Sequence, residues 1–284
     1  MQRIAALLTC HNRREATLAC LHSLKAARGG LPGLSLEVFL TDDGSTDGTA
    51  EAVRAFDPNI HIIPGSGHLY WTRGMVAAWR AALDSGRSFD AFLLLNDDTV
   101  LDLNALEVLL RTGRGLDPDA IVVGALCDPE TGEPTYGGVV RTSRWHPGRT
   151  RLVPIEAQTQ DVDTFNANCA LVPAPCVERI GILDPLFTHA MGDYDYGLRA
   201  REAGIPVVVA AGTIGTCPRN DVGGTWLDPR LPLSRRVALL NSPHGLPRRE
   251  WGEYLRRHGA PFPGLLAMAP LLSVLLSWLK GSQA

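Results

Sequence analysis

Val38-Phe39-Leu40-Thr41-Asp42-Asp43-Gly44-Ser45 and Phe92-Leu93-Leu94-Leu95-Asn96-Asp97-Asp98-Thr99 are two apolar runs, each ending in a pair of carboxylates. Neither run alternates apolar with polar residues, so each reads as a strand covered on both faces, the pattern of a parallel sheet between helices. Carboxylates after such strands stand at the carboxyl edge of the sheet, where open α/β folds bind ligands. An adjacent pair there needs a metal, a base edge or a hydroxyl to hold, because burying an unpartnered charge is costly. A nucleotide with a divalent cation satisfies both pairs. Asp-Gly-Ser and Asn-Asp-Asp are also ordinary turn and helix N-cap chemistry, and either pair taken alone admits that use.

Working outward, apolar runs at Ile4 to Thr9, Glu37 to Thr41, Ile60 to Pro64, Ala91 to Asn96 and Ala120 to Leu126 alternate with helix-like stretches, which predicts repeated βαβ units. The first helix starts near Asn12 and carries Leu18, Leu21 and Leu24. The second follows Ser45-Thr46-Asp47, and the third begins near Arg73-Gly74 and includes Met75, Trp79 and Leu83. Residues 127 to 161 lose periodicity and read as an irregular excursion overlying a site. Order returns with Val162 to Pro173, a helix from Asp193 to Ala203 and a strand from Ile205 to Ala210. This divides the chain into a first half (1–126), a second half (127–230) and a helical C-terminal extension (231–284).

The chain has 284 residues and a net charge of −3, which gives no electrostatic footprint for nucleic acid. Its 6 Cys form no C-x-x-C pair, and Cys10, Cys20, Cys127 and Cys169 lie in apolar surroundings, as reduced packing residues of a cytoplasmic protein do. One basic residue precedes Ile4-Ala5-Ala6-Leu7-Leu8, too short a run for a signal peptide, so it reads as the first strand. The tail from Leu265 to Lys280 has no acidic residue and is interrupted by Pro270, and it is shorter than the roughly 20 residues that span a bilayer. With Arg248, Arg249, Arg256 and Arg257 upstream and Trp278 near the end, it suits an interfacial helix on the anionic inner face of a membrane. A helix that caps the core or buries a homodimer interface is the equal alternative.

The ordered set Thr9-Cys10-His11-Asn12-Arg13, Asp42-Asp43-Gly44-Ser45-Thr46-Asp47-Gly48-Thr49, Asn96-Asp97-Asp98-Thr99 and Gly192-Asp193-Tyr194-Asp195-Tyr196-Gly197-Leu198-Arg199 resembles the inverting glycosyltransferases of family 2, with the GT-A fold, over about residues 1 to 230. The resemblance implies that Asp43 reads the base and that Thr9, His11, Asn12 and Arg13 line the same pocket. Asp42 and Asp43, as acceptor-only groups, suit a pyrimidine imide or ribose hydroxyls. Cys10-His11 replaces the Pro-Thr or Ser-Tyr found in that family. Asn96-Asp97-Asp98 stands where the family has Asp-x-Asp, which implies Asp98 as ligand to Mg²⁺ or Mn²⁺ and Asp97 at the ribose or sugar, with Asn96 in place of the first Asp. Arg73, beside a helix start, is a candidate diphosphate contact.

Inversion at an anomeric carbon needs one base for the acceptor proton. The family supplies it from an acidic pair, often Glu-Asp; here Gly192-Asp193 keeps the Asp, which makes Asp193 the expected base, its pKa lowered by the helix N-terminus. Asp195 lies at ion-pair spacing from Arg199 and positions the site. Thr216 to Trp226 reads as a lid, with Gly223-Gly224 as hinge, Trp226 stacking on a sugar and Arg219 in place of a metal-binding His that some family members have there. The expected activity is transfer from a UDP- or dTDP-linked sugar, a rhamnose-like deoxysugar by the subclass resembled, to a glycan or lipid-linked acceptor in bacterial surface polysaccharide or glycolipid synthesis. A nucleotidyltransferase and a non-catalytic sugar-nucleotide-binding module are the competing readings; the first lacks a Gly-rich phosphate loop with basic residues.

Overall fold

A computed structural model describes residues 2–281. Residues 282–284 of the tail, and the side chain of Lys280, lie outside that description. The first half runs β1 (Gln2–Cys10), α1 (Arg14–Gly29), β2 (Leu34–Asp42), α2 (Thr49–Phe56), β3 (His61–Pro64), α3 (Tyr70–Asp84), β4 (Ala91–Leu95), β5 (Val100–Leu101), α4 (Ala105–Arg114) and β6 (Ile121–Cys127). The excursion then forms β7 (Pro134–Tyr136), β8 (Gly138–Arg141), β9 (Thr150–Leu152), β10 (Gln160–Asp161) and β11 (Thr164–Phe165). Next come β12 (Cys169–Pro173), α5 (Ala174–Ile180), α6 (Gly192–Glu202) and β13 (Val207–Thr216), followed by α7 (Leu233–Leu240), α8 (Arg248–Arg257), α9 (Pro263–Leu266) and α10 (Ala269–Gly281).

The main sheet has the order β10-β13-β6-β12-β4-β1-β2-β3. β1, β2, β3 and β4 are mutually parallel, as are β6 and β13, and β12 is inserted antiparallel between β4 and β6. Both faces of each central strand are buried. In β1, Ile4, Ala6, Leu8 and Cys10 pack with α1, α2 and α4, whereas Ala5 and Leu7 pack with α3 and α6; β4 divides the same way. That double covering is the reason the runs carry no polar alternation.

Two expectations shift. α3 starts at Tyr70, three residues ahead of Arg73, because its first N–H groups find a carboxylate acceptor at Asp43. The last strand extends to Thr216 through register irregularities that Gly212 and Gly215 allow at positive φ. The excursion is also more ordered than its composition suggests: β11, β8 and β9 form a small antiparallel sheet against α6.

The C-terminal extension is not a detached appendage. Trp251, Tyr254 and Leu255 of α8 share a buried cluster with Phe187 and with Leu198 of α6. Farther out, α10 packs on α7, buries Val274 and leaves Phe262, Leu265, Met268, Leu272 and Leu276 exposed. No helix among the described residues is long and apolar enough to cross a membrane.

Candidate active site

The segments after β1 and β2 are laced together. His11 Nδ1 donates to the Asp43 carbonyl at 2.7 Å, which leaves Nε2 to accept from Asn12 Nδ2 at 3.1 Å. Asn12, in the left-handed region at φ 51°, turns its N–H to Ser45 Oγ and its Oδ1 to the Thr46 N–H, at 2.9 and 2.8 Å. Asp47 Oδ2 accepts the first N–H of α1, from Arg14, at 3.0 Å. His11, Asn12 and Arg13 are exposed at this edge, whereas Thr9 is buried where α3 crosses β1. A Cβ on Gly74 would lie 2.2 Å from Thr9 Oγ1, so only glycine permits that crossing. Thr9 therefore packs against α3.

Asp42 and Asp43 are 8% and 4% exposed, and backbone N–H groups hold one oxygen of Asp42 and both of Asp43. Asp42 Oδ1 accepts from Ser45 N at 2.9 Å. Asp43 Oδ1 accepts from Gly67 N at 2.8 Å, and Oδ2 from Leu69 N and Tyr70 N at 2.8 and 2.9 Å. Gly65 is needed for this approach, since a Cβ there would sit 2.6 Å from Asp43 Oδ1. The rest of the α3 N-terminus is spent too: Trp71 N reaches His189 Nδ1 and Thr72 N reaches Thr188 O. Arg73 Nε donates to Pro185 O at 3.0 Å. The expectation of a diphosphate held by free helix N–H groups is thus corrected, because those donors already have partners, whereas Arg73 engages Pro185 through Nε alone.

After β4 the bonding differs. Asn96 Oδ1 accepts from Trp71 Nε1 at 2.7 Å, and Arg13 NH1 reaches Asp97 Oδ1 at 3.1 Å and Asp98 Oδ2 at 2.8 Å. Asp98 Oδ1 takes the Cys217 thiol at 3.4 Å, while Asp97 Oδ2 is buried with no partner. Burial pushes the Asp97 carboxyl up to about 6 despite Arg13, and the Cys217 thiol up to about 12. Residues 13, 97, 98 and 217 thus meet from three distant segments.

Asp193 sits half-buried in the first turn of α6, with Oδ1 on its neighbour's N–H, from Tyr194, at 2.8 Å and Oδ2 on Ala167 N at 3.3 Å. Burial raises its carboxyl to about 6, so the expected lowering by the helix N-terminus is overturned: loss of water outweighs two backbone donors. Asp195 is 0% exposed and points the other way, to Arg199 Nε at 2.8 Å, His258 Nε2 at 3.1 Å and Arg257 NH1 at 3.3 Å. It is a structural hub that ties α6 to the end of α8. In the loop after β13, Arg219 is exposed, Asn220 N reaches the Tyr136 hydroxyl at 3.2 Å, and Trp226 is half-buried with its carbonyl on Arg236 Nε at 3.0 Å.

Some site residues left no mark in the sequence. Tyr70 (φ 57°), His189 and His244 form an aromatic cluster, with the two imidazoles 4.4 Å apart between centroids. Burial, with His244 beside it, lowers His189 to about 4 and keeps it neutral. Glu250 of α8 grips Thr188, accepting from its N–H at 2.8 Å and its hydroxyl at 2.7 Å. Trp71, through Asn96 on one side and His189 on the other, links the Asp97–Asp98 edge to the segment leading into Asp193.

A parallel sheet with carboxylates at its carboxyl edge, a second acidic helix start and a bent antiparallel insert is the GT-A architecture of sugar-transferring enzymes. Residues 6–163 match Glycosyl transferase family 2, and the chain belongs to that family. Among solved structures, it is similar to mannosyltransferase PcManGT from Pyrobaculum calidifontis, in complex with GDP-Man and Mn²⁺, with a TM-score of 0.56 and 15% identity over 96% of this chain and 75% of that one. At that identity the likeness speaks for the fold. No curated protein matches the chain.

Proposed function

We propose that this glycosyltransferase moves a sugar from a nucleoside diphosphate sugar to an acceptor hydroxyl in one inverting displacement, with Asp193 as base. The observation that carries the reading is the state of that carboxylate. It is held by two backbone N–H groups in the first turn of α6 and raised to about 6, so it is ionised at neutral pH yet more basic than an ordinary carboxylate. His189, in the segment that leads into α6, is kept neutral by burial. Glu250 through Thr188 fixes the approach to the base.

Asp98, with Asp97, would hold Mg²⁺ or Mn²⁺. Both offer hard oxygen donors, and the unpartnered Asp97 Oδ2 fits a cation ligand. Among the described residues no group of three or more His, Cys, Asp or Glu is placed to hold a metal ion by itself, so substrate phosphate and water would complete the shell. A bound cation would offset the charge developing on the departing diphosphate. The other expectations stand as parts of the same proposal: a UDP or dTDP donor carrying a deoxysugar, a glycan or lipid-linked acceptor of bacterial surface polysaccharide, and the 1–126, 127–230 and 231–284 division. Interlocking of α8 with α6 joins the third part to the second. The exposed apolar row of α9 and α10, with Arg248 and Arg249 nearby, supports contact with anionic lipid over a core cap. Deleting residues 262–284 should release the protein from anionic vesicles and keep donor binding; an insoluble remainder would favour the core-capping or dimer reading.

Thermal melting against UDP-, dTDP- and GDP-linked sugars, with and without Mn²⁺, tests the donor class, because a ligand of the native state raises the melting temperature. A shift with one sugar nucleotide and release of its sugar to an acceptor with inverted anomeric configuration support the reading. Retention of configuration, or no response to any sugar nucleotide, overturns it.

A further inference from the structure

Arg13 opens α1 with its side chain nearly half exposed, at 45%, and one nitrogen, NH1, serves both carboxylates of the second pair. Two adjacent carboxylates converging on one point repel unless a cation lies between them, and the guanidinium fills that place. The lacing of His11 and Asn12 to residues 43, 45 and 46 brings Arg13 to the sheet edge from a site 84 and 85 positions away in sequence. Only NH1 is used on the pair, and a guanidinium has five N–H donors in a fork that matches phosphate oxygens. A divalent cation held by Asp97 Oδ2 and Asp98 would stand against the NH1 that bridges Asp97 Oδ1 and Asp98 Oδ2, like charge beside like charge, while a diphosphate offers the guanidinium an alternative acceptor of greater charge.

We propose that Arg13 is a built-in counter-cation that keeps free divalent metal off Asp97 and Asp98 and transfers to the donor's diphosphate when donor and metal arrive together. Metal and donor then bind strongly only as a pair, and the carboxylates are never left uncompensated. The inference rests on the reading of Asp98 as metal ligand and of a nucleoside diphosphate donor. It differs from a fixed surface ion pair, which would add stability and leave metal affinity alone, and from an arginine that replaces the metal permanently, which would leave nucleotide binding indifferent to metal.

The test is a titration of full-length protein with Mn²⁺ alone, free Mn²⁺ being counted by electron paramagnetic resonance, alongside calorimetric binding of UDP, dTDP and GDP with and without Mn²⁺. Arg13→Gln should bind Mn²⁺ alone about tenfold more tightly than wild type and bind the preferred nucleoside diphosphate with Mn²⁺ about tenfold more weakly: two effects of opposite sign from one change. Arg13→Lys keeps a cation and loses the fork, so it should resemble wild type toward Mn²⁺ alone and Arg13→Gln toward nucleotide. Equal or weaker Mn²⁺ affinity in Arg13→Gln, with Asp98→Ala abolishing it, would overturn the counter-cation role and leave the metal reading intact. Mn²⁺ binding in none of the proteins, even with nucleoside diphosphate present, would remove the metal reading and this proposal with it.

Discussion

Asp42–Asp43 and Asp97–Asp98 end two strands that flank β1 in the same sheet, and their surroundings set them apart. Every bond recorded to the first pair's carboxylates comes from backbone N–H groups, which fold the loop to α3 around Asp43. The second pair is held by an arginine and a thiol, both side chains, and one buried oxygen has nothing. The same division recurs two residues apart on α6, where Asp195 is enclosed by Arg199, Arg257 and His258 and Asp193 holds only two backbone donors. Asp43 and Asp195, engaged on every side, build the site, and Asp97 and Asp193, whose carboxyls burial raises, are available for chemistry.

The sharpest way to break this comparison is Asp193→Asn. The amide keeps the shape but cannot take a proton, so turnover should fall by roughly a hundredfold or more, with donor binding intact by thermal shift. Turnover near wild type would make Asp193 another structural carboxylate; loss of donor affinity would move it into the donor pocket.

Stability should divide the carboxylates the other way. Asp195→Ala leaves Arg199, Arg257 and His258 around an uncompensated space and should cost about 3–5 kcal/mol in urea unfolding, the scale for breaking a buried ion pair. Asp43→Asn turns an amide N–H₂ toward backbone donors and should cost about 1–3 kcal/mol. Asp97→Asn removes a carboxyl that burial disfavours and should change stability by less than about 1 kcal/mol. If Asp97→Asn proves as damaging as Asp195→Ala, the difference between the pairs is illusory. Glu250→Gln, which loosens Thr188 ahead of Asp193, should lower the rate by several-fold at unchanged donor KM, as small misplacement of a base does.

What the sequence made legible follows from range. β1, β2 and β4 could be read because burial on both faces leaves a continuous apolar run, and the Asp pairs because they interrupt it. The start of α3 was not legible, since Asp43, 27 positions upstream of Tyr70, sets it and a residue at φ 57° opens it. Nor could β12 be recognised as antiparallel between β4 and β6, because its composition matches a parallel core strand. Glu250 and His258 act on Thr188 and Asp195 across 62 and 63 positions, from a stretch whose local pattern is that of any basic helix. Arg13 was expected beside a nucleotide; its hold on Asp97 and Asp98 needed the fold.

The finest test of the comparison is pH. Asp193 works as a base only when ionised, and its carboxyl stands at about 6, so turnover at saturating donor should rise from pH 5 to 7 with a midpoint near 6 and then level off. Asp97 titrates in the same range, so the limb must be assigned by substitution: Asp97→Asn should keep it in kcat, and the residual activity of Asp193→Asn should lose it. Stability carries the opposite sign. Both groups hold protons more tightly in the folded chain than at the ordinary 3.8, so between about pH 4 and 6 the native state binds the excess protons. Their burial cost is therefore full above about pH 6 and relieved as pH falls through that window, and each Asn variant should flatten its own share of the slope. Asp195, lowered by His258 and Arg199, moves the other way, its stabilisation being lost only as pH falls through its depressed value. An activity limb near pH 4, at the ordinary carboxylate value, would mean that water reaches Asp193 as freely as a surface residue and that burial has not prepared it as the base.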